Sequence, residues 1–160
     1  MSKRHIILLR HAEAVGTGNG LSDQARPLTP HGETEAEAAG AWLKAHAAPI
    51  QRVLYSPALR AKQTAEDALH ALGAVEQRED ARIYEATPGA LMDVLTDNAD
   101  VEWLLLVGHN PGLESLVALL STGQSGDHRG MATAGVAWLE LPTESAIEPG
   151  VATLKHFWSP

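Results

Sequence analysis

Four residues from three distant stretches of the chain have the types that phosphoryl chemistry needs: Arg10 and His11 in "ILLRHAEAVG", Arg60 in "SPALRAKQTAE", and His109 in "VGHNPG". Guanidinium forks bind tetrahedral oxyanions bidentately and stay charged at every working pH. A neutral imidazole beside them can attack phosphorus and hold the phosphoryl group covalently, which splits one difficult displacement into two easier ones. Two arginines and two histidines brought to one place would therefore form a site for phosphoryl transfer.

The elements that carry these residues can be read from the apolar pattern. Residues 5–9, "HIILL", are short, β-branched at the start and without helical period, so they predict a buried strand that delivers Arg10 and His11. "RVLYS" predicts a second strand, and Ser56-Pro57 is a cap-then-proline signal for a helix with Ala61, Ala65, Ala68, Leu69 and Leu72 on its apolar face. "WLLLV" predicts another strand, stopping at Gly108 just before His109, and the following helix presents Leu113, Leu116, Leu119 and Leu120. An earlier helix is capped by Thr29, starts at Pro30 and runs to about Ala47, with Ala36, Ala39, Leu43 and Ala47 as its core stripe. "ARIYE" reads as a short strand and "TPGALMDVLTD" as a helix, while "GVAWLEL" and "VATLKHF" alternate like strands near a sheet edge, spaced for a hairpin. This order predicts the α/β class: a three-layer α/β/α sandwich whose central sheet is mostly parallel with an antiparallel edge. Ligands of such sheets bind beyond the carboxyl ends of the strands, where Arg10, His11, Arg60 and His109 would all collect. Loops 14–29 and 121–132 would flank that place.

Composition narrows the classes. A length of 160 residues fits one domain, 1–160, with one substantial core. The formal charge of -8 argues against a nucleic-acid partner, which would require a concentrated basic face, but permits a local cationic pocket. No apolar run approaches the roughly 18 residues of a membrane span, and "MSKRHIILLR" is neither export signal nor anchor, so the cytoplasm is the expected compartment. With no cysteine there is no thiol chemistry or disulfide. His5, His31, His46, His70, His128 and His156 show neither HxH nor HExxH spacing, so no metal and no cofactor is expected. His31, near a helix start after the first loop, is the one of these placed to approach a substrate. The glycines of "GTGNG" lack both GxGxxG spacing and a following Gly-Lys-Ser/Thr, and read as a loop beside the site.

Taken in order, "LLRHAEA", "SPALRAKQTAE", "YEATP" and "VGHNPG" resemble the histidine phosphatase, or phosphoglycerate mutase-like, superfamily over nearly the whole chain. The short length, "RPLTPHG" and "MATAGVAWLEL" make the chain most similar to its SixA-type phosphohistidine phosphatase branch. The resemblance implies His11 as nucleophile, with Arg10, Arg60 and His109 binding phosphate and stabilising charge. It also points to Glu85, in "YEATP", where the wider superfamily places a general acid for the leaving oxygen. The superfamily motif usually reads Arg-His-Gly, whereas Ala12 follows His11 here, and a positive φ at that position would strain alanine. The expected activity is a cofactor-independent phosphatase acting on phosphohistidine in a protein. The alternatives are a phosphatase for small phosphomonoesters and a phospholigand-binding protein without turnover.

Overall fold

The computed structural model describes residues 2–160. Its centre is a six-stranded sheet in the order β3-β2-β4-β1-β5-β6. The strands are β1 (Lys3–Arg10), β2 (Arg52–Tyr55), β3 (Glu76–Glu79), β4 (Trp103–Gly108), β5 (Val136–Pro142) and β6 (Thr153–Trp158). β3, β2, β4 and β1 run parallel, whereas β5 pairs antiparallel with both β1 and β6. The predicted mixed sheet is thus present, and the late hairpin forms its antiparallel side.

Period-two alternation divides the core between two faces. Ile7, Leu9, Val53, Leu105 and Val107 face one helical layer, formed by α1 (Pro30–Ala45) and α2 (Leu59–Leu72). Ile6, Leu8, Leu54, Leu104 and Leu106 face the other, formed by α3 (Pro88–Asp97) and α4 (Gly112–Thr122). Strands buried on both faces are continuous apolar runs, which is why β1 and β4 are so plain in the sequence. The expected cap of α1 is present, Thr29 accepting a bond from the Gly32 amide at 3.0 Å, and α3 has a like cap, with Thr87 accepting from the Ala90 amide at 3.2 Å.

Three local expectations are corrected. "ARIYE" is not a strand, because Asp80 caps a 3₁₀ turn at Ala81–Ile83 through the Arg82 amide. The strand lies just upstream as β3, whose four residues are all exposed and give no apolar alternation; Arg52 of β2 anchors it through the Glu76 carboxylate. Ala47 lies beyond the end of α1 with a φ of 53° and is exposed, and Ala48 is buried in its stead. Ser56 does not cap α2, whose first turn follows Ala58.

Among the described residues, no helix is long and apolar enough to cross a membrane.

Candidate active site

Sheet register brings the predicted residues together. Arg10 of β1 lies opposite Gly108 of β4, and the His11 amide continues the ladder to the Gly108 carbonyl at 3.0 Å. His11 and His109, each one residue past this pair, end with ring centroids 5.2 Å apart. On the other side of β4, Tyr55 lies opposite Val107, so Ser56 arrives beside His109. The loop before β5 reaches the same end of the sheet, with the Ala134 amide bonded to the His11 carbonyl at 3.2 Å.

Hydrogen bonds hold both rings and fix the tautomer of His11. His11 Nδ1 is 2.8 Å from the Ala12 carbonyl, which can only accept, so Nδ1 carries the proton and Nε2 keeps its lone pair. Burial pushes the His11 pKa down to about 4; the cations Arg60, Arg10 and Arg26 add to this, while the Ala12 carbonyl opposes it. The ring is therefore neutral at neutral pH. His109 Nε2 lies 2.8 Å from the Ser56 hydroxyl, which itself accepts from the Ala58 amide at 3.2 Å. The Ser56 hydroxyl thus holds the His109 ring in place through Nε2 while accepting from the Ala58 amide. Burial, then the nearby His11 and Arg60, lower the His109 pKa to about 3.

The arginines are held from behind. Arg10 donates through Nη1 to the Met131 carbonyl at 2.9 Å. Arg60, buried on the first turn of α2, donates to the Asp23 carbonyl at 2.7 Å and to its carboxylate at 3.1 Å. That carboxylate also accepts from Arg26 at 2.9 Å and from the Tyr84 hydroxyl. These bonds, those of Tyr84 and Arg26 foremost, hold Asp23 well below the usual carboxylate range, and Asp23 in turn raises the Tyr84 pKa to about 12. Unpaired buried donors are rare in folded proteins. Among the described residues, Arg10 Nε, Arg60 Nε and His109 Nδ1 are buried without a partner here, while Arg4 Nε and Thr143 Oγ1 are so elsewhere. Such preorganised donors suit an oxyanion.

Of the predicted residues, Arg10, His11, Arg60 and His109 converge. Ala12 is buried, is not among the positive-φ residues, and its amide donates to Thr64 at 2.9 Å, so the small side chain fits without strain. Glu85 is exposed at the rim, on a backbone with φ of 53°. It lines a cavity of about 420 Å³ beside Arg60 and His109, together with Tyr84, Pro88, Asn110 and Pro111. His31 stays apart, with a side chain 67% exposed and 3.7 Å from Glu35. Loop 14–29 is more ordered than "GTGNG" implies: Arg26 ties it to the Val15 carbonyl at 2.7 Å, and Asp23–Ala25 form a 3₁₀ turn. Ser56, Asp23, Arg26 and Tyr84 escaped the sequence reading. Ser56 was visible only as a cap, and the other three act across distances of 37 residues or more or through a loop of irregular backbone.

Residues 6–105 match the family model of the histidine phosphatase superfamily, branch 1. An uncharacterized protein of Mycobacterium tuberculosis is 35% identical over 162 aligned positions, covering 95% of this chain and 99% of the relative. The phosphohistidine phosphatase SixA of Escherichia coli is 35% identical over 127 positions, covering 75% of this chain and 76% of its own. Among solved structures, the protein histidine phosphatase SixA complexed with tungstate superposes with a TM-score of 0.82 at 29% identity, covering 98% of this chain and 97% of that one.

Proposed function

The chain belongs to the histidine phosphatase superfamily, branch 1, and is a hydrolase of the phosphatase kind; from this premise we propose that it removes phosphate from phosphohistidine in a protein, through a covalent intermediate on His11. The observation that carries the proposal is the His11 ring: its Nδ1 proton is bonded to the Ala12 carbonyl, its Nε2 lone pair is free, and its pKa lies at about 4. Nε2 attacks phosphorus as the bond from phosphorus to the substrate imidazole breaks. The departing imidazole keeps the bonding pair and a proton from solvent or a donor at the rim. Water then attacks phospho-His11, giving inorganic phosphate and restoring the neutral ring. Arg10 and Arg60 stabilise the phosphoryl oxygens in both steps, joined by His109, which Ser56 orients. Tungstate is a tetrahedral oxyanion, and its presence in the SixA relative supports an oxyanion pocket of this kind here. The same reading puts the protein in the cytoplasm, with a phosphorylated protein as its partner.

One observation favours the small-phosphomonoester reading. The cavity beside His109, at about 420 Å³, falls within the range that encloses small ligands. Turnover of a phosphohistidine protein and of a series of small phosphate esters by one enzyme preparation separates the two. The proposal expects kcat/KM for the phosphohistidine protein to exceed that of every ester by about tenfold or more. A small ester turned over faster would transfer the assignment to the alternative, and saturable binding without turnover of even an aryl phosphate would make the chain a phospholigand binder.

A further inference from the structure

The geometry points to a divalent-metal site on the outer side of the α1–α2 layer, formed by Glu37 of α1 with Asp67 and His70 of α2. One donor atom from each of the three side chains lies within 4.8 Å of the other two. Asp67 and His70 are three residues apart, hence on one face of α2, and His70 Nδ1 is 3.7 Å from Glu37 Oε1 across the helix interface. The distance between the two helices is fixed where these residues sit. A Cβ on Gly40 would come within 2.2 Å of the Ala68 carbonyl oxygen, so the backbones touch one turn beyond Glu37 and immediately next to Asp67. The donors thus project from a rigid crossing, the condition a metal site needs and a loop rarely offers.

The local charge is unbalanced in the direction that favours a cation. The carboxylates of Glu33, Glu37 and Glu66 all lie close enough to act on Asp67 electrostatically. His70 offers an imidazole nitrogen as the third donor. One imidazole nitrogen with two carboxylates suits zinc, cobalt or nickel better than magnesium or calcium, which prefer all-oxygen shells. Three protein ligands leave one tetrahedral position for water. His70 lies ten residues along α2 from Arg60, roughly 15 Å of helix, so the ion would brace the α1–α2 pair and take no part in phosphoryl transfer.

The test is calorimetric titration of the tag-free protein with zinc chloride, with thermal melts in parallel. The expected result is one equivalent bound with a dissociation constant of about 10 μM or tighter, and a Tm that rises with zinc. Glu37→Gln and His70→Gln should each weaken binding about tenfold or more. Both positions are exposed, so the variants fold, and aryl phosphate turnover should match the parent with or without EDTA. Absence of binding at about 1 mM zinc would overturn the site, as would undiminished binding by His70→Gln. Loss of binding in His46→Gln or His156→Gln alone would place the ion on that other histidine pair and equally overturn the assignment.

Discussion

His11 illustrates how one hydrogen bond sets chemistry at the residue scale. The Ala12 carbonyl claims the Nδ1 proton, and burial among arginines keeps the ring neutral, so the nucleophile proposed here needs no separate base. Glu85 is the residue whose role is most open to measurement, since it sits at the cavity rim on a left-handed backbone that a glutamate adopts at a cost. Alkyl phosphates expel a poor leaving group that needs a proton, whereas phosphohistidine leaves as an imidazole whose conjugate acid has a pKa near about 6.5. Glu85→Gln should therefore slow alkyl phosphate hydrolysis about a hundredfold and phosphohistidine hydrolysis less than about fivefold, with aryl phosphates between. Equal slowing of all three would make Glu85 a positioning group, and no slowing would leave it a solvated rim residue. Arg10, His11, Arg60 and His109 were legible because each stands at the end of a strand or start of a helix that the apolar pattern marks. Asp23, Arg26 and Tyr84 were not, because their network closes only when loop 14–29 folds back over α2.

At the scale of elements, the site is a consequence of register. Because Arg10 faces Gly108 and Tyr55 faces Val107, the residues that follow, His11, His109 and Ser56, meet without any being adjacent in sequence. Apolar runs showed that these strands exist, but their pairing order, and with it the Ser56 to His109 bond, depends on tertiary packing. β3 was invisible for a related reason, being an exposed edge strand tethered by Arg52 through Glu76. The α1–α2 crossing can be tested directly. Gly40→Ala would put a methyl group 2.2 Å from the Ala68 carbonyl oxygen, which is backbone and cannot swing away. A cost of about 3 kcal/mol is expected, seen in thermal melts as a fall in Tm of roughly 6–12 °C. A Tm within about 2 °C of the parent would mean that the helices separate readily at this point.

For the whole molecule, the partly buried histidines couple stability to pH. Burial lowers the pKa of His5, His11, His109 and His156 in the folded state, His11 to about 4 and His109 to about 3. As pH falls below their unfolded value near about 6.5, the unfolded chain takes up protons that the folded one refuses. Stability is thus fully present above that pH and declines as pH drops toward about 4, by up to about 1.4 kcal/mol per unit for each of His11 and His109. Melts between about pH 7.5 and 4.5 should show this fall, with a shallower slope when His11 and His109 are both replaced by asparagine; an unchanged slope would show that neither ring is held neutral by the fold. The claim that unites all three scales is that the sheet presents His11 as a phosphoryl acceptor. Mixing the enzyme with a labelled phosphoryl donor, quenching in alkali and mapping the label tests it most directly. The expected result is one acid-labile, base-stable phosphoryl group on His11 and no turnover by His11→Ala; label on any other residue, or full turnover by that variant, would contradict it.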